Sequence, residues 1–412
     1  MAVTATDLNA LRKEIYSDKV VNAIPASQIV CKDYPFKEAK SIGDKFIQPV
    51  KMSHEHGFTY SNEDSVAFDL NAAVPAIFKE AQVDGSTVVL RSALSHVQLA
   101  KLDNSKKGFM TAPAALMEDM NQSMWKRVEI ACIYGRAVKG LGEIESVSAI
   151  VSNVQTVVLT AASFAPGIWS GAEGARLDSY ASASKVNTQD MNIKSVDLKT
   201  RSITLNLDAT EGGTLAAAQG IFWKGAYGVE PIGLDAIANN TGSLFGIDAS
   251  LYSLWKSSVT TSVGAITLAK ILSLVDDAIN KGLEGDVNVY IPSKAFTALS
   301  NEQAALRSLD QSYNSNQAVN GFKGLKFLHQ SGVLNVKPSI YVKQGDVFIA
   351  PVEGGSRIGA IDVTFKTPGM EEEKMFHTLE NAAGVGIRCL THQALFFERP
   401  GLISKGEGVT YA

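Results

Sequence analysis

The clearest periodic pattern in the chain lies between residues 111 and 135. Leu116, Met120, Met124, Val128 and Ala131 recur at helical spacing and share one stripe. Asp119, Gln122, Lys126 and Glu129 fall off that stripe. Thr111 is a candidate cap, Pro113 suits a first helical turn and Gly135 a stop. Such a helix needs a sheet or another helix beneath it. Its methionines read as core packing, because an unbranched thioether fills irregular gaps.

Elsewhere the period changes to two. Val66, Phe68 and Leu70 alternate, TVVLR follows at 87–91, and Asp84-Gly85 is a turn signal, so 61–100 reads as a long hairpin with an extended connection. VSAIVSNVQTVVLTAASF is β-rich, and GAEGARLDSYASAS reads as a short helix. Residues 190–228 read as a small β unit: VDLKTRSITLNL is strand, turn, strand with Thr200 and Arg201 at the bend, and QGIFWKG is a further strand. An α/β lobe follows over 229–370. In it Leu268, Ile271, Leu272, Val275 and Ile279 mark a helix stopped by Gly282. VNVYIP reads as a buried strand, PSKAFTALSNEQ as a helix capped by Ser293, and GLKFLHQSGV, PSIYVK and GDVFIAPV as strands. GVGIRCLTHQALFFERP reads as a strand pair or one long bent strand. Residues 1–60 hold a short amphipathic piece with Asp7 as N-cap, but too few apolar positions for a core. Such an arm gains order by lying across something else, often another subunit.

Composition narrows the class. The chain has 412 residues, 45% hydrophobic and 19% charged, with a formal net charge of -4. That is a folded composition without the basic excess of a dedicated nucleic-acid surface. No apolar run approaches the roughly 18 residues of a spanning helix. The N-terminus lacks a basic segment followed by an apolar one, so folding in a cytoplasm is expected. Cys31, Cys132 and Cys389 are far apart and odd in number, which argues against a disulfide framework or a thiolate zinc cage.

The candidate chemistry is sparse. SHEHGFTY holds His54 and His56, which would share one face of a strand and make half of a metal site. His96, His329, His377 and His392 are isolated in sequence, and H-E-x-x-H spacing is absent. There is no G-x-S-x-G elbow and no phosphate-binding G-x-x-x-x-G-K-[ST]. GVG at 384–386 and GLG at 140–142 are most simply turns. EEEK at 371–374, Asp276 and Asp277 read as solvated surface, and the NNT sequon at 239–241 carries no weight in a cytoplasmic chain. No metal, cofactor or catalytic residue is expected.

The order of segments resembles the major capsid proteins of tailed double-stranded DNA bacteriophages, which share the Hong Kong 97-type fold. Residues 1–60 resemble the N-terminal arm, and NEDSVAFDL to VVLRSALSHVQL, within 61–100, the E-loop. TAPAALMEDMNQSMWKRVEIACIYG resembles the spine helix, 113–135, of a peripheral domain over 101–165. GLDAIANN, DASLYSLWKS, TLAKILSLVDDAINKG and VNVYIPSKAF resemble the axial domain, 229–370, and FHTLENAAGVGIRCLTHQALFFERPG the returning peripheral strands of 371–412. The specificity lies in that order rather than in one motif.

The resemblance implies an α+β capsid fold with arm, extended E-loop hairpin, spine helix and axial α/β domain. The β unit at 190–228 would be an insertion. It implies a structural protein and not an enzyme. Copies would form pentamers and hexamers and close an icosahedral shell around double-stranded DNA contacted non-specifically, in the virion after assembly in a bacterial cytoplasm. A separate scaffolding protein, a portal protein at one vertex and a decoration protein are the implied partners, with no membrane. Some members join an E-loop lysine to a neighbour's asparagine, and Lys79 and Asn381 stand in comparable places here. In that frame SHEHGFTY becomes the arm-to-E-loop junction, with Gly57 allowing a change of direction. His54 and His56 become candidates for inter-subunit hydrogen bonds or pH sensitivity. Removing residues 1–45 is expected to leave a soluble subunit that cannot close stable shells. The alternatives are an encapsulin-like compartment, which shares the fold, and a metal-dependent hydrolase using His54 and His56.

Overall fold

The computed structural model describes residues 27–38, 45–62, 67–95, 97, 112–188, 190–207, 215–307, 325–330, 332–366, 376–379 and 383–411. The piece around Asp7, Val66, Thr111, His96, the EEEK run and Asn381 lie outside them.

The long helix runs Ala112–Tyr134. Met120, Met124, Val128 and Ala131 are buried, as the stripe requires, and Leu116 is half-buried against the same core. Its last turns also bury Ile130, Cys132, Ile133 and Tyr134, so apolar contact surrounds them on every side. The covering elements are the short helices Val30–Asp33 and Leu234–Ala238 and the strand Gly384–Phe397. The helix ends where Arg136 takes a φ of 58°, and residue 135 must be glycine because a Cβ there would lie 1.8 Å from Pro231 O.

Glu129 corrects the simple stripe reading. It is off the stripe, yet 0% exposed. Its Oε1 accepts from the amides of Ile29 (2.9 Å) and Val30 (2.8 Å), and its Oε2 from Cys31 (2.9 Å). These are the orphan donors at the start of the Val30–Asp33 helix, whose Ile29 offers no side-chain cap. A buried carboxylate is tolerable here because three N–H groups replace its lost water.

The same segment is fastened elsewhere. Lys337 Nζ donates to Asp33 Oδ1 (2.5 Å), Tyr290 OH to Asp33 Oδ2 (2.6 Å) and Tyr34 OH to Pro351 O (2.9 Å). Phe36–Glu38 then runs parallel to Arg357–Gly359. Residues 27–38, read from sequence as arm without a core, are therefore built into their own subunit.

Five strands form the first sheet. Gly384–Phe397 is its spine, one long strand rather than a pair. It pairs with Ser86–Ser95 along one edge and with Gly355–Thr364 and Phe376–Thr378 along the other. The hairpin lies earlier than its alternation suggested. Phe46–Lys51 pairs with Phe78–Val83, from Phe46↔Val83 to Lys51↔Phe78, and residues 67–77 hold no strand. Asp84-Gly85 links Phe78–Val83 to Ser86–Ser95, but those strands do not pair, because each joins a different sheet. Pro49 masks the first strand in sequence; it is tolerated because a two-stranded ribbon leaves one side of each strand free of ladder bonds.

Residues 142–223 make a second, wholly antiparallel sheet of seven strands. Its path is Gly220–Trp223, Arg176–Ala181, Met191–Asp197, Ser202–Asn206, Val154–Leu159, Gly142–Val147, with Ser184–Lys185 beside Arg176–Ala181. Leu141 N donates to Ile221 O (2.8 Å), Ile144 N to Gln219 O (2.9 Å) and Ala218 N to Ile144 O (2.9 Å). The last strand thus meets the first, and the sheet curls into a small barrel around Ile144, Val157, Leu159, Leu177, Ile193, Ile203 and Leu205. Closure leaves few open edges. The strand-turn-strand and QGIFWKG readings are found here, with Arg201 at φ 60 in the bend. GAEGARLDSYASAS is not helical: Gly171 and Gly174 take φ of 69° and 81°, which break a helix, and Arg176–Ala181 enters the barrel.

The third sheet orders Ser258–Thr260, Ser404–Glu407, Asp346–Pro351, Val287–Ile291, Gly332–Pro338 and Leu325–His329. Val287–Ile291, buried throughout, is central. Helix Leu268–Ile279 starts at Thr267, whose side chain accepts from Lys270 N (3.3 Å). It buries Ile271, Leu274, Val275 and Ala278, so the core face is turned from the predicted stripe and Leu268, Leu272 and Ile279 are half-buried. Ser293–Arg307 is helical, with Ser293 as its first residue rather than its cap and Pro292 O accepting from Phe296 N (3.2 Å). PSIYVK is not a strand after Pro338: Ser339–Lys343 turns, with Tyr341 and Val342 buried and Ile340 O accepting from Gly167 N (3.0 Å).

Candidate assembly surfaces

The hairpin extends beyond its two strands as an irregular ribbon. Met52 N donates to Ile77 O (2.8 Å), Ile77 N to Ser53 Oγ (3.0 Å) and His56 N to Val74 O (3.1 Å). Asn71 N reaches Thr59 Oγ1 (2.8 Å), and Asn71 Nδ2 reaches Phe58 O (2.9 Å). Gly57 serves close approach rather than a reversal, since a Cβ there would meet Ala73 Cα at 3.1 Å. The base is anchored: Phe46 and Phe245 both pack edge-on against Phe396, and Gln82 N donates to Phe245 O (2.8 Å).

Apart from Met52, the ribbon's large apolar side chains have no such shelter. Tyr60 is 89% exposed, Leu70 79%, Phe78 65% and Phe58 64%, with Ile47, Phe68, Val74 and Ile77 also exposed. Scattered surface apolar residues are ordinary, but a projecting ribbon of them needs a partner. Burying each would contribute about 1.5–3 kcal/mol.

A second surface lies beside the long helix. Among the described residues, Ser86–Ser95 pairs on one side only. Its start, with Met124, Trp223, Val229 and Pro231, lines a cleft of about 780 Å³. Arg127 and Glu230 stand in the walls of this cleft. Arg127 stacks on Trp223 at 3.7 Å, and its Nη1 is buried with no acceptor among the described residues. The unpaired edge of Ser86–Ser95 is a surface that invites pairing. Leu251 and Leu254 add exposed apolar groups near Trp255, whose Nε1 donates inward to Leu244 O (3.0 Å).

A buried charge cluster joins the end of the long helix, the start of the barrel and the third sheet. Tyr134, at the end of the long helix, donates from OH to Asp346 Oδ2 (3.0 Å) and accepts from Lys343 N (2.8 Å). Lys343 Nζ donates to Gly140 O (2.7 Å) where the barrel begins. Lys405 Nζ donates to Asp235 and to Glu407 (2.6 Å), with Asp346 at 3.9 Å. Burial pulls Lys405 down, but Asp235 and Asp346 outweigh it and the net shift is upward, whereas burial leaves Lys343 lowered. Burial pushes the Asp346 carboxyl up to about 6, opposed by the two lysines. Burial likewise pushes Glu230 up to about 7, opposed by Arg127.

Both carboxyls bind their proton more tightly folded than unfolded. Their contribution to stability is full below the unfolded carboxylate range and is lost as pH rises through 6 to 7. The unfolding free energy of dissociated subunits should therefore fall between pH 5 and pH 7.5, by about 1–2 kcal/mol per group. Glu230→Gln should flatten the upper part of that fall; an unchanged slope would assign it elsewhere.

The residues singled out from sequence are dispersed. His54 and His56 sit exposed on the irregular ribbon, where no strand pleat holds them to one face. Among the described residues no three His, Cys, Asp or Glu side chains group as metal ligands. Lys79 is exposed on Phe78–Val83. None of them signalled Glu129, Arg127 or the Lys343–Lys405 cluster, whose partners are distant in sequence.

No protein-family model matches the chain, and no curated protein sequence matches it. Solved structures do. A chain of the Cyanophage A-1(L) capsid asymmetric unit superposes with a TM-score of 0.60 at 10% identity, over 99% of this chain and 100% of that one. A chain of the capsid of an empty GTA particle gives 0.51 at 7% identity, over 100% and 99%. The match spans both chains end to end, and what it shows at such identities is architecture. The chain has the α+β Hong Kong 97-type capsid fold.

Proposed function

We propose that this chain is the major capsid protein of a tailed double-stranded DNA phage. It builds the virion shell as pentamers and hexamers of itself. The observation that carries this reading is a full-length capsid fold whose hairpin displays apolar side chains its own subunit leaves uncovered. In this reading the arm is 1–60, the E-loop 61–100 with limbs reaching back to Phe46, and the peripheral domain 101–165 and 371–412. The axial domain is 229–370, and the strands of 190–228 are an addition that completes one barrel with those of 142–181. The shell encloses DNA without binding it tightly, which suits a net charge of -4. A scaffolding protein guides closure, a portal protein occupies one vertex and a decoration protein coats the outside.

Velocity sedimentation tests the reading, on protein expressed alone and with its scaffolding protein. Shell-sized particles are expected. A monomer under every condition contradicts the proposal, and particles filled with an enzyme and empty of DNA would favour a compartment of the encapsulin kind.

A further inference from the structure

Cys31 and Cys132 are 101 positions apart, yet their sulfurs lie 3.8 Å from each other in the buried contact between the Val30–Asp33 helix and the long helix. Both are free thiols, and Cys389 is buried elsewhere without a cysteine partner. The Cys31 amide is already held by Glu129 Oε2 (2.9 Å), so the two backbones are fixed next to one another. A disulfide needs its sulfurs at about 2.05 Å, a closure within reach of side-chain rotation from van der Waals contact.

We propose that Cys31 and Cys132 form a redox modification site that closes to an intrachain disulfide and fastens the N-terminal segment to the long helix. The oxidant is a small-molecule disulfide such as oxidised glutathione. One thiolate attacks it, releasing one glutathione and leaving a mixed disulfide. The second thiolate displaces the other glutathione, so two cysteine thiols give one disulfide, one oxidised glutathione gives two reduced, and the two thiol protons end on the released glutathiones. The bond encloses the hairpin and Ser86–Ser95 in its loop. Long loops constrain the unfolded chain most, so the product resists unfolding.

Contact with Cys132 and burial hold the Cys31 thiol well above its usual range. Thiolate is scarce there, and closure is slow. The pair therefore stays reduced while the chain folds in a reducing cytoplasm and oxidises once outside it. Only this timing rests on the proposed virion role; the chemistry stands or falls apart from it.

The test is to incubate the assembled protein with oxidised glutathione, alkylate it in urea, digest it and weigh the peptides. A Cys31–Cys132 linked peptide with Cys389 alkylated is expected. The unfolding midpoint should rise after oxidation and return on reduction, and Cys132→Ser should abolish both effects. Should that variant fail to fold, the wild-type peptide masses and midpoints decide. Three alkylated cysteines, a glutathione adduct without the link, or a link that leaves the midpoint unchanged would overturn the proposal.

Discussion

Glu129→Ala is expected to destabilise the subunit by about 3–5 kcal/mol, because buried amides lose their acceptor. Val30 and Cys31 are buried, so water cannot take the place of the carboxylate on their N–H groups. The loss should not stop at the helix. Residues 29–34 also carry Asp33 and Tyr34, which bind Lys337, Tyr290 and Pro351 in the α/β lobe. Freeing this segment removes one link between the long helix and that lobe and leaves the Tyr134 bonds to Asp346 and Lys343 as the other. Denaturant midpoints and protease sensitivity of dissociated subunits measure the effect. A Glu129→Ala subunit within about 1 kcal/mol of wild type would mean the amides find other acceptors. The same reasoning revises the expectation for the N-terminal truncation. Removing residues 1–26 spares this anchor, whereas removing 1–45 takes it away and should unfold the subunit rather than merely prevent closure.

The second large effect concerns assembly and leaves folding alone. Phe58→Asp, Tyr60→Asp and Leu70→Asp together should abolish shell formation. These side chains are 64%, 89% and 79% exposed within the subunit, so replacing them costs the core little. Buried against a neighbour, the three would contribute roughly 5–9 kcal/mol per contact, and carboxylates in their place would resist desolvation. Circular dichroism and the denaturant midpoint should match wild type while sedimentation shows small species only. Shells as heat-stable as wild type from the triple variant would place the assembly contact elsewhere.

Legibility in sequence followed the range of each interaction. The long helix could be read because its stripe faces one core and Gly135 stands at its end, where Pro231 crowds in. The central strand Val287–Ile291 and the long strand at 384–397 are legible from their β-branched and aromatic residues, although GVG at 384–386, read as a turn, is the start of the second. Misreadings occurred where tertiary context decides. GAEGARLDSYASAS has helix-friendly alanines, but its glycines adopt positive φ and the barrel claims the rest as strand. FIQPVK carries Pro49, which argues against a strand in sequence, although a ribbon edge accepts proline. Thr267 to Gly282 was read as a helix correctly, yet its buried face turned once the sheet beneath it was placed. Barrel closure through Leu141, Ile144 and Ala218 has no local signature. Glu129 looked like surface because its partners lie about a hundred residues away, and the Cys31–Cys132 contact was hidden for the same reason. The exposure of Phe58, Tyr60 and Leu70 has no local signature either, because it depends on what the rest of the subunit leaves uncovered.

Electron microscopy of the purified protein, co-expressed with its scaffolding protein where needed, tests the central claim most directly. Closed shells built of fivefold and sixfold rings, each subunit's Phe58–Leu70 ribbon lying across a neighbour, are the predicted result. Images showing only separate subunits under all assembly conditions, or shells in which that ribbon touches no other copy, would contradict it.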